Sequence, residues 1–375
     1  MRKILIANDL LKGGGVEAIL KELVLYLKKK DYEIWLVIPD CTQAEVVELF
    51  GAEINFMRCV RPSAKISRFV MGRYIYKMCS VLCDMLMWLK TALVGFDVAI
   101  ALKEGPIMRN TTAVCAKKKF AWIHSDYNLM HWTKTCFRSN EYECRCMAKF
   151  DKTVCVSKAV ADSVVNTIGD PGNLCVRYNP INALKIYDLA KEECHETCKT
   201  DVPLFVSVGR LAYPKNYDML IDVCCELSRS YSFETWIIGD GPDREALQNK
   251  IDQQKVECVR LLGNKENPFP YLRQAEVFIS SSLCESYGLA VQEALLLGIP
   301  VIAVECPAIA ETLDTRFGIL CDPSIHSMKE AMEQFLQDSQ KIRNYRNCIH
   351  EHYLSHDVYE NRLEEILQLW EDDSA

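Results

Sequence analysis

Val277-Phe278-Ile279-Ser280-Ser281-Ser282-Leu283-Cys284-Glu285-Ser286-Tyr287-Gly288-Leu289-Ala290-Val291-Gln292-Glu293-Ala294-Leu295 contains a strand, a loop and a helix in succession. The stretch 277–281, opening on Val277-Phe278-Ile279, predicts a strand, which Ser280-Ser281-Ser282 closes. Glu285 falls in the loop, Tyr287-Gly288-Leu289 opens the helix, and Glu293 lies on it, eight positions after Glu285. A helix opening at Gly288-Leu289 presents free N–H groups that suit a phosphate. Glu293 can accept hydrogen bonds from a diol such as ribose, and Glu285 from a sugar hydroxyl. Taken alone, such a pair reads first as two solvated carboxylates.

The same alternation runs outward in both directions. Strands are predicted at 203–209, 234–238, 259–262, 301–304 and 319–321 around this stretch, and at 2–7, 33–37, 97–101, 120–123 and 152–156 before it. Helical patterns lie between them, for example at 16–29, and an amphipathic helix is predicted at 357–370. Alternating strands and helices predict α/β architecture with parallel sheets covered on both faces. A composition break falls near Tyr178-Asn179-Pro180-Ile181-Asn182. The chain therefore divides into two Rossmann-like, doubly wound domains facing a cleft: 1–182, 183–355, and a C-terminal stretch 356–375 expected to pack back on the first. Ligands in such folds bind at the carboxyl ends of strands, so the loops after strands carry the candidate chemistry.

Three more such loops stand out. Gly209-Arg210-Leu211-Ala212-Tyr213-Pro214-Lys215-Asn216 places an Arg and a Lys at a helix start expected near Asn216. Arg grips two oxygens and Lys adds a point charge, which suits a pyrophosphate, although a solvated turn is the plain alternative. Gly239-Asp240-Gly241-Pro242 permits a tight turn with Pro242 at a first helical position, and Gly263-Asn264-Lys265-Glu266-Asn267-Pro268 leads into another helix. Each reads either as a connection or as a ligand-facing loop.

With 375 residues the chain suits two domains. Its 49% hydrophobic and 25% charged content is that of a soluble globular protein. A net charge of −7 argues against a general nucleic-acid binder. The 19 cysteines are scattered, and the opening run Ile4-Leu5-Ile6-Ala7 is too short for a secretory leader, which predicts reduced thiols in a cytoplasm. Cys136, Cys144 and Cys146, with His131 upstream, fit no common zinc spacing, so no metal is expected.

Residues 58–90 depart from this acidic background. They hold seven bases (Arg58, Arg61, Lys65, Arg68, Arg73, Lys77, Lys90) and one acid, Asp84, interleaved with bulky apolar residues. Two readings stand side by side: a patch for an anionic bilayer, or a pair of core helices with snorkelling bases. No run of eighteen apolar residues is present.

In register, Val208-Gly209-Arg210-Leu211 with Lys215-Asn216, Ile238-Gly239-Asp240-Gly241-Pro242, Leu262-Gly263 with Asn267-Pro268, Glu285-x7-Glu293, and Gly298-Ile299-Pro300-Val301 resemble the motifs of retaining glycosyltransferase family four, glycosyl transferases group one, with the GT-B fold. Weaker matches are Gly13-Gly14-Gly15-Val16-Glu17 and Trp122-Ile123-His124-Ser125-Asp126. One departure is Glu305-Cys306-Pro307-Ala308-Ile309-Ala310-Glu311, where many relatives carry a Gly pair before the glutamate.

The resemblance implies a nucleotide-sugar donor, with a UDP-sugar favoured, and transfer of a hexose-type sugar to a saccharide or lipid-linked acceptor. It implies that Arg210 and Lys215 neutralise the leaving diphosphate. Glu285 then contacts the transferred sugar, Glu293 holds the ribose, and His124 lies close to the sugar. Gly14, Gly15, Gly209, Gly239, Gly241, Asn267, Tyr287, Gly288 and Leu289 line the donor. No cofactor and no metal are expected, and the protein is expected in the cytoplasm or on the inner face of a membrane. The competing readings are a nucleotide-sugar epimerase of the same fold and an inactive sugar-binding partner of another transferase.

Overall fold

The computed structural model describes residues 1–11, 14–39, 41–58, 70–194, 196–198, 202–353 and 358–371, and for 70–81, 353 and 358 the backbone alone. Gly13, Arg61, Lys65 and Arg68 lie outside the described residues. Two compact units form, one from Met1–Pro180 with Glu360–Ala375 and one from Ile181–Tyr359.

In the first unit the strands are β1 (Lys3–Ala7), β2 (Glu33–Val37), β3 (Asn55–Phe56), β4 (Phe96–Ala101), β5 (Ala116–Ile123), β6 (Lys152–Cys155) and β7 (Leu174–Val176). They form one sheet in the order β3-β2-β1-β4-β5-β6-β7, with parallel pairing throughout. Ile4, Leu5, Ile6, Ala99, Ile100, Ala121 and Ile123 are buried, because helices cover both sheet faces. The helix Val358–Glu371 belongs here. Its Leu363, Ile366, Leu367 and Trp370 are buried, Trp370 lies 5.6 Å from Phe120, and Tyr32 donates to Glu371 at 2.7 Å. Burial, then the hydrogen bond to Glu364, pushes the Tyr26 phenol up to about 12.

The second unit holds β8 (Leu204–Val208), β9 (Glu234–Ile238), β10 (Val259–Gly263), β11 (Val277–Ser280), β12 (Val301–Val304) and β13 (Gly318–Cys321). Its sheet runs β10-β9-β8-β11-β12-β13, again with every pair parallel. One face packs on Leu220, Val223, Cys224 and Met328, the other on Val291, Ala294, Leu295 and Ile309.

Strand order reverses direction between β1 and β4 in the first sheet and between β8 and β11 in the second. At such a switch point the loops on either side leave in opposite directions and open a crevice. The loops after β8 and β11 are those that carry Arg210, Lys215 and Glu285.

The structure adds two strands to the sequence reading and corrects it at two further places. Two short edge strands, β3 and β7, have no apolar run long enough to read as strands. Of the two readings of 58–90, the pair of core helices is not seen among its described residues, which hold a single 25-residue helix, Val70–Val94. Pro242 does not open its helix, which begins at Arg244 behind an Asp243 cap.

Candidate active site

In the second unit, β8 ends at Val208 and the chain turns through Gly209 into a 3-10 turn, Tyr213–Lys215. Asn216 adopts a left-handed conformation and starts the helix Tyr217–Leu227. This geometry aims Lys215 back across the strand ends, where its Nζ lies 2.6 Å from Glu285 Oε1. Two further bonds tie the loops together: Ser281 Oγ donates to the Lys215 carbonyl at 2.6 Å, and Leu283 N donates to the Pro214 carbonyl at 2.8 Å. Burial opposes the Lys215 charge, but Glu285, with Tyr217 and Cys284 nearby, outweighs it and holds the ammonium above the ordinary lysine value. Arg210 is exposed, and its guanidinium has no side-chain partner among the described residues.

Gly288 caps the helix Leu289–Leu296 with φ 75°. A Cβ there would stand 2.5 Å from Ile309 Cδ1. The first-turn N–H groups of that helix have no intrahelical acceptors. A small cavity beside them is lined by Ser207, Lys215, Ser281, Ser282, Glu285 and Gly288. Ser282 Oγ is buried there without a hydrogen-bond partner. Glu293 is half-buried on the same helix, and desolvation raises its carboxyl to about 7.

Four expected donor contacts have structural roles of their own. Gly239 has φ 144°, and a Cβ on it would lie 2.0 Å from the Gly209 carbonyl oxygen. A Cβ on Gly241 would lie 2.2 Å from the Leu211 carbonyl oxygen. Both glycines let the 239–241 loop press against the 209–211 loop. Asn267 is occupied on both sides of its amide: Nδ2 donates to the Leu189 carbonyl and to Glu192, and Oδ1 accepts from Phe269 N. Tyr287 is buried, with its carbonyl accepting from Thr312 Oγ1 at 3.3 Å.

In the first unit, Gly14 and Gly15 are exposed at the N-terminus of the 15-residue helix Gly15–Lys29, directly after β1. His124 follows β5. Its Nε2 lies 3.0 Å from the Leu102 carbonyl, and a carbonyl only accepts, so Nε2 carries a proton. Burial lowers the His124 pKa, opposed by the Glu104 charge, and the net lowering favours the neutral ring. Nδ1 is then left as an acceptor.

Glu104, which sequence reading passed over, organises this loop. It is buried, and its carboxylate accepts from His124 N at 3.0 Å, Ser125 Oγ at 2.5 Å and Trp132 Nε1 at 3.0 Å. The available signal was its place in Lys103-Glu104-Gly105-Pro106, immediately after β4 at a switch point. A second buried carboxylate, Glu143, gathers Tyr127, His131 and Thr133. Replacing a buried, fully satisfied acceptor by a group that also donates leaves one pairing unmade. Glu104→Gln is expected to lower the stability of the first unit by about 2 kcal/mol in chemical denaturation. Unchanged stability would show that the network carries no weight.

The sequence families described as Glycosyltransferase Family 4 and Glycosyl transferases group 1 match residues 13–183 and 192–352 respectively. This chain belongs to glycosyltransferase family four, group one. A Campylobacter jejuni relative of the family-four protein, the N-acetylgalactosamine-N,N'-diacetylbacillosaminyl-diphospho-undecaprenol 4-alpha-N-acetylgalactosaminyltransferase, is 24% identical over 92% of this chain and 93% of its own. A component of the Homo sapiens phosphatidylinositol N-acetylglucosaminyltransferase is 35% identical over 34% of this chain, a match spanning only 28% of that protein. The match to its Arabidopsis thaliana counterpart spans 42% of that protein's length. Among solved structures, Anabaena Alr3699/HepE in complex with UDP and glucose superimposes with a TM-score of 0.77 at 14% identity, over 98% of this chain and 99% of that one. The fold of the family-four protein is GT-B, two Rossmann-like units with parallel sheets.

Proposed function

We propose that this chain transfers a hexose-type sugar from a UDP-sugar, with retention of anomeric configuration and without a metal, to a saccharide or lipid-linked hydroxyl. The observation that carries the proposal is the convergence of Lys215, Glu285 and the helix opening at Gly288 on one switch point. A cation paired to a carboxylate beside unfilled N–H groups is a site already arranged for a diphosphate. UDP and glucose in the Anabaena structure, and the diphospho-undecaprenol in the Campylobacter relative's name, support the donor and acceptor classes.

In the proposed step the bond between the anomeric carbon and the β-phosphate oxygen breaks, and the electron pair leaves with UDP. Lys215 and Arg210 take up the developing charge, joined by the helix N-terminus. The acceptor oxygen bonds to the anomeric carbon on the face that UDP leaves, and its proton passes to the departing phosphate. Glu285 holds a sugar hydroxyl, Glu293 the ribose diol, and Nδ1 of His124 accepts a hydroxyl of the sugar. Product analysis tests the reading. Mass spectrometry with a panel of UDP-sugars is expected to show UDP release and a glycosylated acceptor, with the donor's anomeric configuration kept by NMR. Inverted product removes the retaining assignment, and an isomerised donor with no transfer replaces transfer by epimerisation.

Donor affinity should also depend on pH. Ribose hydroxyls donate to a carboxylate, so binding favours ionised Glu293, whose carboxyl in the free protein titrates at about 7. Affinity for UDP is expected to rise as pH increases toward that value and to level off above it. One proton per site limits the slope to about tenfold per pH unit. Glu293→Gln is expected to flatten the profile in calorimetric titrations, and an unchanged slope would remove Glu293 from the ribose.

A further inference from the structure

The switch point of the first sheet lies between β1 and β4. Asp9 follows β1, Lys103 and Glu104 follow β4, and Trp132 opens the 3-10 turn Trp132–Thr135 in the connection after β5. The indole of Trp132 is held along its edges. Nε1 donates to Glu104 Oε1 at 3.0 Å and lies 3.1 Å from Ser125 Oγ. The far edge rests on Gly105, where φ is 87° and a Cβ would stand 2.7 Å from Cη2. The next residue, Thr133, donates to the buried Glu143 at 2.6 Å and fixes the backbone beside the ring. Despite these restraints Trp132 is 38% exposed. Lys103 Nζ lies 5.8 Å from its ring centroid and 2.9 Å from Asp9 Oδ2, and both charged side chains are half-buried.

We propose that the acceptor is a saccharide whose terminal sugar ring stacks on Trp132, with its hydroxyls on Asp9 and Lys103. This rests on the proposed transfer and narrows its acceptor to a hydroxyl of a sugar ring, with Trp132 as the residue that selects it. An aromatic plane fixed at its edges but left in water is preorganised, so a ligand laid on it costs little side-chain ordering. One face of a six-membered sugar ring is a patch of C–H groups, which meet the negative face of an aromatic ring favourably. The hydroxyls at its rim both donate and accept. Asp9 accepts and Lys103 donates, so the pair answers both. A lipid chain would leave that ion pair unanswered, and a phosphate would meet the Asp9 charge. Glu104 binds the site together: Oε2 accepts from His124 N and Oε1 from Trp132 Nε1. One buried carboxylate thereby positions both the histidine assigned to the donor's sugar and the ring assigned to the acceptor's.

Saturation-transfer NMR on the full chain with UDP present tests this contact apart from the donor chemistry, which UDP release from a UDP-sugar reads. The probes are the methyl α-glycosides of glucose, galactose, N-acetylglucosamine and N-acetylgalactosamine, with glycerol 3-phosphate as a non-sugar alcohol. At least one glycoside is expected to receive saturation, concentrated on the C–H protons of one ring face, and glycerol 3-phosphate none. Trp132→Leu and Trp132→Phe both lose the indole N–H, so a difference between them reports the aromatic plane and not the loop. Trp132→Leu is expected to weaken glycoside binding about tenfold and to raise the acceptor KM alike, with the donor KM unchanged, whereas Trp132→Phe stays near the unaltered protein. Equal binding in the two variants, no glycoside binding by the unaltered protein, or preference for glycerol 3-phosphate overturns the proposal. UDP release in those cases leaves the proposed transfer standing. Binding that Glu285→Ala removes and Trp132→Leu leaves intact also overturns it, and assigns the sugar to the donor's site.

Discussion

Lys215→Ala is expected to lower kcat/KM for transfer by about three orders of magnitude, close to 4 kcal/mol of transition-state stabilisation. The charge it removes lies in a half-buried site where solvent cannot replace it, 2.6 Å from Glu285. The same substitution leaves Glu285 without its cation, so some stability is lost as well. The two effects separate in the pair of variants. Glu285→Gln with Lys215→Ala removes both charges and is expected to restore the melting temperature while leaving transfer as low as in the single variant. Lys215→Arg keeps the charge but not the shape, since the lysine stem packs against Gly209, where a Cβ would meet its Cε at 2.9 Å. Its activity is expected between the two. Transfer within tenfold of the unaltered protein in Lys215→Ala would show that the leaving diphosphate is stabilised elsewhere.

Gly239→Ala is expected to destabilise the second unit by about 3 kcal/mol or more, among the largest effects available from one methyl group. Two costs add. The backbone sits at φ 144°, a conformation that a side chain resists, and the new Cβ would lie 2.0 Å from the Gly209 carbonyl oxygen. That neighbour is backbone, so relief requires the 209–211 loop to move, and the Arg210 it carries moves with it. Reduced activity should therefore accompany the loss of stability. Denaturant unfolding monitored through Trp236, buried in the second unit, reads the first, and steady-state transfer reads the second. An unchanged midpoint would mean that the loops do not pack as described.

Parallel strands covered on both faces are legible because burial leaves few polar positions in them. β2, β9 and β12 have the bounds predicted for them, 33–37, 234–238 and 301–304. β3 and β7, two and three residues at the sheet edges, carry no such run and are held by their neighbours. Lys215 and Glu285 could each be picked out by the loops they occupy. Their contact spans 70 positions and follows only once β8 and β11 lie side by side. The glycines of Gly239-Asp240-Gly241 were legible as a tight turn, but their reason is another loop's backbone, which no local pattern reports. Glu104 is the clearest omission. A lone glutamate after a strand is unremarkable until three donors from the next strand's loop converge on it.

Hydrogen exchange with bound nucleotide tests the central claim most directly, because it reports position without depending on the acceptor. The full chain is incubated with saturating UDP and, in parallel, with ADP, GDP and TDP. At least one nucleotide is expected to protect the amides of 209–216 and 281–296 together, and Lys215→Ala to remove that protection. Nucleotide binding that leaves both segments exchanging as in the free protein, or that protects other strand ends instead, would contradict the placement of the donor at the β8/β11 switch point.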